Sequence, residues 1–183
     1  MDRRYFLKFT SAGAAATAAT TASLPLYAAP KQQTAGDDGL SDRQWLTLDA
    51  VLDHLFPSEA EAPGAREVMA VHWLQRVLRD DETDEVHKQF LRAGVAQVDE
   101  TSAELYQKTF AALQHEQREA VLRHMEKSKQ QGRAWLQEMI RYIFEALLSD
   151  PVYGGNPQAV GWKWLQHTPG FPRPPKEKRY FLL

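Results

Sequence analysis

Six histidines carry the most chemical potential in this sequence: His54, His72, His87, His115, His124 and His167. An imidazole can bind a metal ion or move a proton near neutral pH. A metal site borne on one helix needs two ligands a turn apart, and no two of these histidines are four residues apart. His115-Glu116 opens an H-E-x-x-H pattern, but Glu119 stands where the second histidine belongs. Asp84-x-x-His87 is the nearest approach to the Glu-x-x-His of di-iron bundles, and Asp84 at an acidic helix start reads more simply as a cap. Ser58, Ser102 and Ser149 lie outside any G-x-S-x-G turn that could present a nucleophile. The chain has no cysteine, which removes thiolate nucleophiles, disulfides, cysteine-bound zinc, iron–sulfur clusters and covalent haem. No G-x-G-x-x-G or G-x-x-x-x-G-K-[ST] loop is present to cradle phosphates. The sequence therefore predicts no catalytic residue, no metal ligand and no cofactor-binding residue in this chain.

The elements that must position any site are helical. The chain has 183 residues, 43% of them hydrophobic, enough for the core of one domain. Its 22 basic and 24 acidic side chains give a net charge of -2 without a basic block, which argues against nucleic-acid binding. Ser41 is a good N-cap for a first helix carrying Trp45, Leu48, Leu52 and Leu55 up to Pro57. After a turn-rich connection, a second helix is predicted from about Ala65, with Val68, Val71, Trp73, Leu74, Val77 and Leu78 inward. Past the acidic break at 80–85, the spacing of Val86, Phe90, Leu91, Val95, Val98 and Leu105 predicts the longest helix; Gly94 either weakens it or lets a neighbour pack close. A short turn at 109–114 tucks in Phe110 and Leu113, and Val121, Leu122 and Met125 mark another helix that Gly132 ends. The run 133–149 has one stripe of Leu136, Ile140, Ile143 and Leu147, widened by Trp135, Met139, Phe144 and Leu148, which predicts a central helix buried on several sides. No alternating strand pattern competes, so the expected fold is all-α, a helical bundle of about five helices.

After Asp150-Pro151 the helical period stops, and an irregular Gly/Pro/Trp-rich C-terminal segment follows. Gly154, Gly155 and Asn156 accept positive φ, and Pro157 keeps Asn156 out of the right-handed helical region. Tyr153, Trp162 and Trp164 lie among these turns, where they either present amphipathic rings to a partner or cover the bundle. The last stretch, 173–183, is a Pro-rich basic tail with an apolar end. It reads as a loose terminus, as a segment docked on a partner or on its own bundle, or as a weak contact for an anionic membrane.

The opening residues differ in kind. Arg3-Arg4 followed by Phe6-Leu7-Lys8 and a weakly apolar Ala/Thr-rich stretch resembles a twin-arginine export signal, with small residues suited to cleavage after Ala28. Without residues 1–28 the remainder is two charges more acidic, because Arg3, Arg4, Lys8 and Asp2 go with them. The organisation expected is a signal at 1–28, a flexible linker at 29–40, a helical domain at 41–172 and the tail at 173–183.

Asp150-Pro151-Val152-Tyr153-Gly154-Gly155-Asn156, then Gly161-Trp162 and Pro169-Gly170, with Leu55-Phe56-Pro57 and Ala62-Pro63-Gly64-Ala65 upstream, carry a family likeness. Over nearly all of 41–172 the chain resembles the small (gamma) subunit of membrane-bound gluconate 2-dehydrogenase and related FAD-dependent sugar dehydrogenases. The resemblance implies a non-catalytic subunit in the periplasm, held at the inner membrane through its complex. It also implies an FAD-containing large subunit that oxidises the sugar and has no signal of its own, and a multihaem cytochrome c subunit. The small subunit then supplies the signal, with Arg3, Arg4, Phe6, Leu7 and Lys8 read by the twin-arginine translocon. The expected interface is Asp150, Tyr153, Gly154, Gly155, Asn156, Gly161, Trp162 and Trp164. A reading of another class stays open beside it: a free-standing periplasmic helical protein that binds a small ligand in a Trp-lined pocket or performs an unrecognised reaction.

Overall fold

A computed structural model of the chain describes residues 38–127 and 129–178. The expected signal, the first part of the expected linker and the last five residues of the tail lie outside the described residues. Six helices follow in order: α1 (Asp42–Leu55), α2 (Ala70–Arg79), α3 (Glu85–Tyr106), α4 (His115–Lys127), α5 (Lys129–Leu148) and the short α6 (Val160–Trp164). Single 3-10 turns stand at Phe110–Ala112, Pro151–Tyr153, Pro157–Ala159 and Lys176–Lys178, and no strand occurs among the described residues. The all-α bundle is as the apolar spacing predicts.

Local chemistry accounts for the helix starts. At α1 the Ser41 side chain accepts from the Gln44 N–H while the Gln44 side chain accepts from the Ser41 N–H, a reciprocal capping box. Asp84 caps α3 by accepting from the Val86 N–H, the role expected of it. The second helix begins five residues later than predicted, because 65–69 are drawn into turns: the Ala65 N–H donates to Phe56 O and Met69 is left-handed at φ 58. Ala65 and Val68 are still buried, so the apolar spacing holds although the backbone turns there instead of coiling into helix.

α5 touches α1, α2, α3, α4 and α6, which makes it the centre of the bundle. Trp135, Met139, Tyr142, Ile143, Ala146 and Leu147 face inward from it. Trp135 is wholly buried against Gly94 of α3, where an added Cβ would lie 2.1 Å from the indole, and its Nε1–H donates to Leu91 O at 2.9 Å. Of the two expectations for Gly94, close packing is the one observed. Gly132 does not end a helix: it lies inside α5, where a Cβ would meet Met125 O of α4 at 2.4 Å, so it sets the approach of α4 to α5 instead.

Three further expectations are corrected. Val86 and Leu105, each one residue in from an end of α3, are exposed. On α5 the predicted stripe divides, and Ile140, Phe144 and Leu148 face outward. Asp38 and Leu40, expected within the flexible linker, are packed: Leu40 is buried, and the buried Asp38 side chain accepts from Trp45 Nε1 at 3.2 Å, Gln75 Nε2 at 3.4 Å and Arg79 Nη2 at 3.0 Å. Burial pushes the Asp38 carboxyl up, but hydrogen bonds from Trp45, the Leu40 N–H, Gln75 and Arg79 outweigh it and hold the pKa below its usual value.

Candidate functional site

The segment that departs from helical periodicity closes the C-terminal end of α5. A helix end leaves carbonyls without partners inside the helix, and here side chains from downstream supply them. Asn156 Nδ2 donates to Ser149 O at 3.0 Å, Trp162 Nε1 donates to Leu148 O at 2.8 Å, and Ser149 Oγ donates to Ala146 O at 3.2 Å. Asp150 starts the next turn by accepting from the Val152 N–H, with Pro151 in the first position where its missing N–H costs nothing.

Asn156 is the staple of the whole segment. It is fully buried; its Oδ1 accepts from the Gly161 N–H at 2.7 Å, and its own N–H donates to Val68 O at 3.1 Å, which ties the segment to the turns before α2. Its φ of 50 is followed by φ 55 at Gln158 and 58 at Ala159, three left-handed residues within four. Such backbone persists only where surrounding bonds over-determine it, and these bonds do so.

The tail begins anchored to this segment. Arg173 makes two bonds to Asp150, Nε to Oδ2 at 2.9 Å and Nη2 to Oδ1 at 2.8 Å, and its guanidinium stands 5.4 Å from the Trp162 ring centroid. The Arg173 hydrogen bond holds the Asp150 carboxyl below its usual value against the opposing effect of burial. His167 packs edge-on to the same Trp162 ring, with 5.4 Å between centroids. Of the tail, Arg173 is anchored on the chain's own bundle, residues 175–178 are exposed, and the apolar end lies outside the described residues.

The eight residues expected at an interface separate into two groups. Gly155, Asn156, Gly161 and Trp162 are buried and give the segment its shape. Asp150, Tyr153 and Trp164 are half-buried and Gly154 is exposed, so these reach the surface. Trp164 lies beside residues that the interface expectation did not include: the Phe56 ring is 6.3 Å from Trp164 and 6.4 Å from Phe144. On the same face of α5 as Phe144 stand Ile140 and Leu148; Ile140, Phe144 and Leu148 are 41%, 47% and 53% exposed. The signal that could have found them was the apolar pattern of α5 itself, which is too wide for one buried face.

The histidines are spread through the bundle. His54 of α1 meets Glu119 of α4 at 2.9 Å and its ring centroid is 4.6 Å from that of His115. Burial pushes the Glu119 carboxyl up, but bonds from His54 and Arg123 hold it below its usual value. His87 Nε2 lies 2.7 Å from the Tyr142 hydroxyl. Among the described residues, no three His, Asp or Glu side chains come together in a way that could hold a metal ion. Surface clefts among the described residues include one lined by Arg76, Arg79, Asp80, Asp81 and Glu82 and one lined by Pro151, Val152 and residues 173–176 of the tail. No helix among the described residues is long and apolar enough to cross a membrane.

Residues 42–170 match the family described as Gluconate 2-dehydrogenase subunit 3, a range that starts at the first residue of α1 and runs past α6. No curated protein and no solved structure matches the chain.

Proposed function

Because this chain belongs to the gluconate 2-dehydrogenase subunit 3 family, we propose that it is the accessory, non-catalytic subunit of a periplasmic FAD-dependent dehydrogenase. In this reading it binds the folded flavoprotein subunit, carries it through twin-arginine export and remains attached as a stabilising clamp. The match across all six helices is the observation that carries the proposal. The Arg3-Arg4 leader supports the export part, since a route that moves folded cargo lets one signal serve two chains.

The mechanism is affinity. A closed bundle with a stapled C-terminal segment offers a surface formed before the partner arrives, which lowers the ordering cost of association. Oxidation of the sugar, and the flavin that accepts the electrons, belong to the partner. A multihaem cytochrome c subunit then takes the electrons toward quinone, and the complex sits at the periplasmic side of the inner membrane.

The test is export of the flavoprotein subunit, co-expressed with this chain or with its Arg3→Lys/Arg4→Lys variant. With the unaltered chain, flavin and dehydrogenase activity appear in the periplasm. With the variant they stay in the cytoplasm, at least tenfold depleted outside. Equal periplasmic yield in both cases overturns the escort reading.

A further inference from the structure

We propose that Ile140, Phe144 and Leu148 of α5, together with Phe56 and Trp164, form the face on which the dehydrogenase subunit docks. This rests on the accessory-subunit reading and gives that reading a location. Leu46 and Val86 are exposed too, but neither has another exposed large apolar residue one turn away on its own helix, which is ordinary for a protein surface. The α5 residues recur at one-turn spacing on the central helix, and the rings of Phe56 and Trp164 extend them across two further segments. A continuous aromatic and aliphatic patch of this kind has the composition of the desolvated centre of a protein interface.

The charges around the patch select its occupant. On one flank Arg141 is paired with both Glu138 and Glu145, and Glu145 also accepts from Trp73 Nε1 at 3.0 Å. Arg141 largely neutralises those carboxylates, so this flank carries no surplus of positive charge to draw the patch onto an anionic lipid surface. Arg133, two turns ahead of Ile140, and Lys163, next to Trp164, are exposed at the ends of the patch. The fitting partner is thus a protein face with an apolar, uncharged centre and a few acidic side chains at its rim. A second copy of this chain would set like charges end to end. The family match, to a subunit of a dehydrogenase, names the protein that supplies such a face.

The experiment is co-purification of the co-expressed flavoprotein with the full chain, with Ile140→Ser/Phe144→Ser/Leu148→Ser, and with the control Leu46→Ser/Val86→Ser. Expected is retention by the unaltered chain and the control, and at least a tenfold loss in the triple variant. A photo-crosslinking residue placed at position 144 should join the flavoprotein, and the same residue at position 86 should not; this reads out the contact even if the triple variant folds poorly. Retention by the triple variant, with no crosslink from position 144, overturns the docking face and leaves the subunit reading intact. No retention by the unaltered chain removes both. A dimer of the isolated chain that the triple variant abolishes, or binding to phosphatidylglycerol vesicles lost in the same variant, also overturns the proposal, by assigning the face to a second copy or to lipid.

Discussion

Replacing Asn156 with alanine tests whether the most recognisable residue of the C-terminal segment is a contact or a staple. The change removes two side-chain hydrogen bonds, from Nδ2 to Ser149 O and from the Gly161 N–H to Oδ1. Gly161 is buried, so its N–H loses its partner where water cannot replace it, a cost of roughly 1–3 kcal/mol. Ser149 O is less enclosed and adds less. Alanine at φ 50 adds about 1 kcal/mol of left-handed strain that asparagine largely avoids. The total is about 3 kcal/mol, a large part of the 5–15 kcal/mol that typically holds a domain together. For a domain of this size that corresponds to a fall in Tm of roughly 6–12 °C. Calorimetry measures the fall, and amide exchange locates it: the N–H groups of Gly161, Leu165 and His167, which bond within the segment, should lose protection before those of α3. Asn156→Gly, which keeps the backbone and loses the bonds, should recover about 1 kcal/mol relative to alanine. If Asn156→Ala abolishes partner binding while Tm and exchange stay unchanged, then Asn156 touches the partner directly and the reasoning from its burial is refuted.

Two further substitutions or conditions give equally definite outcomes. Gly94→Ala sets propensity against packing: alanine favours a helix by about 1 kcal/mol, but its Cβ would lie 2.1 Å from the Trp135 ring and displace the bond to Leu91 O. A net loss of about 2–3 kcal/mol is expected from overpacking, read as a lower Tm; a higher Tm would show that the indole does not sit there. The Asp150–Arg173 pair gives a pH dependence whose sign follows from its depressed carboxyl pKa. Stability from this pair is present above the ordinary aspartate value near 3.8 and is lost as the pH falls through the lower folded value. The Arg173 Nε chemical shift in nitrogen-edited NMR should therefore hold steady from neutral pH down past the ordinary aspartate value near 3.8 and move only below it, as the Asp150 carboxylate takes up its proton. A change of that shift already near pH 6 would mean the pair does not form.

What was legible in the sequence was whatever local chemistry decides alone. Ser41 and Asp84 announce helix starts because their side chains satisfy N–H groups two or three residues away, and both do so. Phe110 and Leu113 are tucked in as their spacing implies. The start of α2 was not legible, since residues 65–69 are held by Phe56 O and by the Asn156 N–H, the latter almost ninety positions away in the chain. The same limit applies to α5. Eight apolar positions announce a helix with a wide face, but which of them meet solvent depends on where α2, α4 and α6 come to rest, and no period in α5 encodes that. Gly132 misled for a related reason: a glycine that lets two helices touch looks, in one dimension, like a glycine that ends one.

The candidate site follows the same division. The family-like element Asp150-Pro151-Val152-Tyr153-Gly154-Gly155-Asn156 stood out because its residue types demand an unusual backbone, and that backbone is spent on closing α5. Asn156 and Trp162 cap α5 carbonyls, Gly161 accepts the close approach of Leu147 O, and Asp150 holds Arg173. Gly155, Asn156, Gly161 and Trp162 of this segment are buried and hold its position, while Asp150, Tyr153, Gly154 and Trp164 reach the surface. What it holds is Trp164, set beside Phe56 and Phe144 at the end of the exposed stripe of α5. Interface side chains themselves need only be apolar and correctly placed, so they leave little trace in a sequence; the glycines and the asparagine that place them leave a strong one. Disrupting the staple should therefore weaken association through Trp164, whereas replacing Ile140, Phe144 and Leu148 should weaken it with the segment intact, and exchange protection at Gly161 tells the two routes apart.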